Sequence, residues 1–228
     1  KIIQQWKFCN VRREDDRVTR WIAANWRTPH QGDPDMWFAR AVARLINWPD
    51  TLSEVSWPVP FKGAHVKRVI AKRMAAKKQT WGGAYIITTG GRPTAKEEFI
   101  VGEELHHPWL EREEMRPRTD DTLRTFYDRL KCALGLGSFM AGQVIADVKY
   151  DQKSVLHRAP DWWTFACPGP GSKRGLNRVY GREVDAQWSD ADWMVALGRL
   201  HARLNDAFKE VAVMELHAQD LQNCLCEF

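Results

Sequence analysis

No run of about 18 apolar residues occurs in this chain of 228, so nothing in it reads as a membrane-crossing helix and no membrane is expected as a partner. The opening stretch KIIQQWKFCNVRRED is too polar for a secretory signal. Five cysteines, at 9, 132, 167, 224 and 226, make no CxxC pair. Cys224 and Cys226 flank a single leucine, a poor geometry for a shared zinc, and an odd count suits reduced, intracellular thiols. No GxxxxGK[ST] loop is present, which argues against ATP hydrolysis on this chain. HExxH spacing is missing too. The segment GEELHHPWLEREE gathers two histidines and five glutamates, but it reads as a surface charge run, and no metal is expected. Internal repeats and low-complexity linkers are absent.

What is present is material for a packed core, 44% hydrophobic residues, in a length that suits one domain over 1–228, with two helical lobes inside it. The net charge of +5 leans mildly toward nucleic acid. Its distribution says more. Lys62 to Lys78 holds seven Lys or Arg and no acid. Val66, Val69, Ile70 and Met74 alternate with those cations, which predicts an amphipathic helix with a cationic outer face. Lys67 and Lys72 on it are candidates for DNA contact. Twelve tryptophans is a high count for this length; some suit the core, and base stacking is a use for others.

Most segments have helical periodicity. REDDRVTRWIAANWR puts Val18, Trp21, Ile22 and Asn25 on one face, with acids in the first turn. GDPDMWFARAVARLINW offers Asp33 as N-cap and Pro34 at the first helical position. The exception is AYIITTGGRPTAKEEFIVG, where a β-rich run, a turn containing Gly-Gly and a second short apolar run predict a small β-hairpin at about 84–101. Ser189 caps a further helix. The fold class expected is therefore mainly α.

The stretch TLRTFYDRLKCALGLGSFMAGQVIADVKY predicts a helix over 121–133, a tight turn from Leu134 to Gly137, and a second helix capped by Ser138 and running to about Asp147. Glycines in such a turn bare backbone N–H groups beside a helix N-terminus, a place that suits a phosphate oxygen. Gly135, Leu136, Gly137 and Ser138 are the candidate DNA contacts, gripping the backbone without reading sequence. An ordinary αα-hairpin with a glycine C-cap fits the same spacing.

A second signal is DWWTFACPGPGSKRGLNRVYGR. Gly169 and Gly171 loosen the backbone beside Ser172, Lys173 and Arg174, and Asn177 and Arg178 follow at helical spacing. Amides and cations together make an anion cradle. A solvated loop between helices is the competing reading.

The turn resembles the hairpin of the helix-hairpin-helix DNA glycosylases, in which a similar Gly-x-Gly turn precedes an alanine-containing helix. Phe139 stands where the bifunctional members carry lysine. Ser172 or Lys173 stands where the family's aspartate is expected before Arg178-Val179. Three blocks, FCNVRREDDRVTRWIAANWR, DWWTFACPGPGSKRGLNRV and ELHAQDLQNCLCEF, are similar to the phage thymine-hypermodification proteins known as alpha-glutamyl/putrescinyl thymine pyrophosphorylases. A related helical domain accompanies the kinases of 5-hydroxymethyluracil in DNA.

The resemblance implies a helix-hairpin-helix, glycosylase-like, two-lobed fold. It implies an amino acid (or amine):DNA transferase, in the cytoplasm of a phage-infected bacterium, that replaces a phosphate or pyrophosphate on activated 5-hydroxymethyluracil. Its partners are double-stranded DNA carrying the modified thymine, an amino acid or polyamine donor, and in function a DNA base kinase. No cofactor is called for; a monovalent cation at the hairpin turn is compatible with the motif. The base must leave the stack to be reached, cations must hold the departing phosphate, and a general base must take a proton from the amine.

Asp147 and Asp161 are the candidate acid/base groups, with pairing to a surface cation and N-capping as their structural alternatives. Gly169, Gly171, Ser172, Lys173, Arg174, Asn177 and Arg178 are the candidates for the phosphate. Arg12, Arg13, Glu14, Asp16, Asn25 and Arg27 near the start, with Asp220, Asn223 and Glu227 near the end, are candidates for the amine donor or the pocket. A glycosylase, or a non-catalytic DNA-binding module that assists the kinase, remains an alternative.

Overall fold

In the computed structural model, which describes residues 10–85, 87–89, 91–133 and 136–228, all regular structure among those residues is helical. Two compact units divide the chain. One is Arg17–Ala159; the other joins the residues up to Asp16 with Pro160–Phe228.

The Arg17–Ala159 unit starts with α1 (Arg17–Ile22), which opens into a π turn over Ala23–Arg27. The wider turn, closed by Thr28 N–H on Ala23 O at 2.9 Å, carries Trp26 into the core and leaves Asn25 exposed. The one face expected for Val18, Trp21, Ile22 and Asn25 is broken there. α2 (Met36–Ile46) starts two residues later than the expected Pro34 start, with Asp35 at the N-cap and Asp33 Oδ1 accepting the Asp35 N–H at 2.8 Å. Every residue of α2 is buried, Arg40 and Arg44 included, so it is a central helix rather than one with an apolar stripe. α3 (Pro49–Val55) and α4 (Gly63–Ala75) pack on each other.

The expected β-hairpin is not formed among the described residues. Its second arm is helical, α5 (Lys96–Phe99) running into a π turn over Ile100–Glu104. The apolar residues explain this. Ile100, Val101 and Leu105 are buried together, a spacing that one helical face satisfies and a strand's alternation does not. Ala95, Lys96, Glu97 and Glu98 ahead of them are better helix than strand formers. α6 (His106–Leu110) and α7 (Arg112–Met115) are short turns.

α8 (Leu123–Cys132) is capped by Thr122, whose hydroxyl accepts the Thr125 N–H at 3.0 Å. It buries Leu123, Phe126, Tyr127 and Leu130. α9 (Gly137–Val148) follows after the turn and packs on both α8 and α2. The two helices thus stand close to where the sequence predicts them, the second starting at Gly137 rather than being capped by Ser138. Leu134 and Gly135 of that turn lie outside the described residues.

In the other unit, α10 (Pro170–Val179), α11 (Asp190–Glu210) and α12 (Ala218–Glu227) surround a core of Ala166, Leu176, Trp193, Leu197, Leu221 and Leu225. After Ser189 the chain forms two helices, α11 and α12. Ser189 caps the first by accepting the Asp192 N–H at 3.0 Å, and Ala212 at φ +53° turns the chain after it. α10 and α12 approach so closely that a Cβ on Gly175 would lie 2.0 Å from the Leu225 carbonyl oxygen. Glycine is required there for want of space.

Candidate functional site

Helix α2 sends two arginines, one turn apart, into the apolar interior of its unit, and buried cations need acceptors. Arg44 finds them. Its Nε and Nη2 donate to the two carboxylate oxygens of Asp147 at 2.6 and 2.7 Å, and Nη2 and Nη1 reach Thr19 Oγ1 and Asn47 Oδ1 at 2.7 and 3.3 Å. Asp147, 1% exposed, is therefore the buried counter-ion that ties α9 to α2. The expectation of a general base gives way to a bidentate pair, because both oxygens face a guanidinium that cannot release a proton.

Arg40, 0% exposed, is differently placed. Its Nη2 donates to Met36 Sδ at 3.0 Å, while Nε and Nη1 meet no acceptor among the described residues. Burial pushes its guanidinium down to about 10, against the attraction of Asp147 and Asp151. Arg27, half-buried, lies over the Tyr150 ring at 5.6 Å. Asn25 is exposed and donates to the Trp21 carbonyl at 2.8 Å, so it serves its own helix rather than a pocket.

At the hairpin turn, Gly137 has φ +55°, a conformation suited to glycine. Ser138 lies inside α9 rather than at its cap, which is Leu136, and no side chain caps that end. Ser138 and Phe139 are exposed. The Phe139 ring stands edge-on to Tyr85 at 5.2 Å, and Tyr85 Oη donates to Gln143 Oε1 at 2.7 Å. Gly135, and with it a cation at the turn, falls outside the described residues.

The basic helix α4 buries Val66, Val69, Ile70 and Arg73. Met74 is exposed rather than part of that stripe. Arg73 turns inward to Glu54 and the Gln79 carbonyl. Lys67 is bound to Glu98. The outward cations are Lys62 at the N-cap, Arg68, Lys72, Lys77 and Lys78, which make no side-chain ion pair among the described residues. Lys72 thus stays available to a phosphate; Lys67 is partnered, and Arg68 takes its place on the open face.

In the other unit, sequence-distant candidates come together. Asp220, 2% exposed, accepts the Arg13 N–H at 3.0 Å. Asn223 Nδ2 donates to the Asn10 carbonyl at 3.4 Å. Arg12 reaches Met214, through Nη2 to its carbonyl at 3.0 Å. Glu14 and Asp16 are half-buried and partnered; Glu227 is exposed. His217, which no sequence motif singles out, joins this group. Its Nδ1 lies 3.3 Å from Asp220 Oδ2, and the rings of Trp162 and Trp163 stand edge-on to it at 4.3 and 4.5 Å. Only the spacing HAQD, three residues on a helix start, hints at the pair. Asp161 begins a tight turn rather than a helix, its carbonyl accepting the Thr164 and Phe165 N–H groups at 3.1 and 2.8 Å.

The expected phosphate cradle is largely used by the fold. Ser172, 0% exposed, exchanges hydrogen bonds of 3.0 Å with the Gly169 backbone and so starts α10. Lys173 pairs with Asp190 at 2.9 Å. Asn177 is buried and pins the following loop through the carbonyls of Val184 and Ala186 at 2.8 and 2.9 Å. Gly171 packs on Cys226. Arg174 and Arg178 alone stay exposed, one turn apart on α10.

Among the described residues no three His, Cys, Asp or Glu side chains converge as a metal site, and no helix is long and apolar enough to cross a membrane. A family model described as "5-hmdU DNA kinase, helical domain" matches residues 1–228. No curated protein and no solved structure matches the chain.

Proposed function

Because the chain belongs to the family of 5-hmdU DNA kinase helical domains, we propose that it is the DNA-holding component of a system that modifies 5-hydroxymethyluracil in DNA. The observation that carries this reading is the outward face of α4. Arg68 and Lys72, one helical turn apart, with Lys77 and Lys78 beyond the helix end, present cations that the fold leaves unneutralised. Cations in that state release counter-ions from a phosphate backbone and bind it without regard to sequence. The exposed start of α9, with Gly137, Ser138 and Phe139, is the second contact in this proposal.

Fluorescence anisotropy with a duplex carrying 5-hydroxymethyluracil tests it. The wild type binds, and Arg68→Glu with Lys72→Glu weakens binding at least tenfold while the melting temperature stays unchanged. Equal affinity of the two proteins removes α4 from the interface.

A second reading, favoured by the His217–Asp220 pair, is the amine:DNA transferase. In it His217, oriented by Asp220, takes a proton from the incoming ammonium, and Arg174 and Arg178 receive the departing phosphate. Nucleoside mass spectrometry decides it. Phosphorylated or pyrophosphorylated hydroxymethyluracil DNA is incubated with candidate amino acids and polyamines. An amine-sized mass gain that disappears in His217→Ala supports the transferase; DNA binding with unchanged nucleosides leaves the holding role alone. Abasic product in the same digest would instead indicate a glycosylase.

A further inference from the structure

Helix α4 carries cations on two flanks. Arg68 and Lys72 stand on the open flank. Lys67 stands about 100° around the helix from Arg68, the turn that each residue adds at 3.6 residues per turn. By the same periodicity Ala64, Ala71 and Ala75, all exposed, fall between the two flanks. Side chains that short leave a strand room to lie along the helix within reach of cations on both sides. Of Lys67, Arg68 and Lys72, Lys67 alone is paired among the described residues. Its partner comes from the segment that packs against α4, α5 with the π turn after it.

That segment is acidic where α4 is basic. Four of the eight residues from Glu97 to Glu104 are glutamates. Glu103 is bound to Arg92. Glu98 turns to α4, its Oε2 accepting a hydrogen bond from the Lys67 ammonium. The pair lies over the π turn: a Cβ on Gly102 would stand 3.4 Å from Lys67 Nζ and 3.8 Å from Glu98 Oε2.

Both members of the pair are open to solvent. The Lys67 side chain is 32% exposed and that of Glu98 55%. Such a pair stabilises a fold little and weakens as salt rises, so another anion can exchange into it. A backbone phosphate is such an anion, and a lysine that binds it releases the counter-ion condensed there. Carboxylate and phosphate therefore compete for one ammonium, on a helix whose neighbouring cations have no competitor.

We infer that Lys67 is a third phosphate contact of α4, and that Glu98 occupies it in the free chain, so that a DNA strand gains this contact by displacing a carboxylate. The inference rests on the reading of α4 as the face that holds DNA, and adds what limits its affinity. Glu97, next to Glu98 and without an ion pair among the described residues, supplies the control. It repels a strand as any acid nearby does, but it holds no lysine.

Fluorescence anisotropy on the intact chain, with a duplex carrying 5-hydroxymethyluracil, tests the competition. At low salt Glu98→Gln binds tighter by about threefold or more, and the gain shrinks as added salt screens the pair in the wild type. Glu97→Gln gives a smaller gain. In the Lys67→Gln background, adding Glu98→Gln gains no more than Glu97→Gln does. Both residues are exposed and the changes keep their shape, so melting temperatures stay as in the wild type. A Glu98→Gln protein that binds no better than Glu97→Gln, or a gain that survives without Lys67, overturns the inference. The two ideas fail separately. If Arg68→Glu with Lys72→Glu binds as the wild type does while the Glu98 gain persists, the open flank leaves the interface and the competition for Lys67 stands. If that double variant loses binding while Glu98→Gln changes nothing, the holding face stands and the competition falls. Binding by neither the wild type nor Glu98→Gln removes both.

Discussion

Asp147 and Asp220 are both carboxylates with 2% exposure or less, one in each unit, yet their surroundings differ. Asp147 meets a guanidinium fork on both oxygens. Asp220 takes a backbone N–H from Arg13 and stands beside an imidazole. The first arrangement neutralises a charge and leaves no proton to move. The second couples a carboxylate to the one side chain that ordinarily titrates between pH 5 and 8. Burial of an acid is therefore no guide to its role; the partner is.

Breaking the first arrangement has the largest expected effect. Asp147→Ala leaves Arg44 buried without its counter-charge, and loses about 3–5 kcal/mol of stability by urea denaturation. Replacing both partners, Arg44→Met with Asp147→Leu, recovers most of that loss; equal destabilisation by the single and double changes would show that the pair is not what holds α2 to α9.

The helix pair of the other unit comes next. Gly175→Ala forces α10 from α12, at a cost of about 1–3 kcal/mol or more, read as a lower melting temperature. An unchanged melting temperature would contradict the 2.0 Å approach to Leu225. Asp220→Asn keeps the shape and an acceptor for the Arg13 N–H but removes the charge beside His217. A loss of about 1 kcal/mol is expected, with the His217 ring resonances changing their pH titration. A titration curve superimposable on the wild type would separate the two residues.

The smallest effect sharpens a third carboxylate. Glu104 is pushed up to about 7, by burial first and then by Glu103. The folded chain thus holds a proton that the unfolded chain releases near the ordinary value of 4.5. Stability contributed by that proton is full at low pH and falls as pH rises from about 4.5 through about 7. Glu104→Gln should raise the melting temperature at pH 8 and leave it unchanged at pH 4.5. An identical gain at both values would rule out titration as the cause.

The helices are legible in the sequence where periodicity and capping agree. Ser189, the hairpin helices and the basic helix all stand where their residues place them. The short run FIV reads as the second arm of a hairpin because Phe99, Ile100 and Val101 are β-prone one by one, while their burial pattern is set by the helix packed against them. Asn25 leaves its expected face because a π turn shifts the helical register, which propensity does not record. Of the candidate site, the approach of Arg13, Asp220 and Asn223 is visible as resemblance between distant blocks. The roles of Asp147, Ser172, Lys173 and Asn177 are not, since each is decided by a partner 3 to 103 residues away. Arg40 and Arg44 carry a signal of their own: cations at i and i+4 within an apolar helix must either pair or wait for a ligand.

The salt dependence of DNA binding tests whether the outward face of α4 holds a phosphate backbone. For the wild type on a hydroxymethyluracil duplex, the logarithm of affinity should fall linearly with the logarithm of salt concentration. Arg68→Gln with Lys72→Gln should make that slope shallower by about 2, since each phosphate that a cation neutralises contributes about 0.9. A slope that is the same in both proteins, or wild-type affinity that does not respond to salt, would contradict the account.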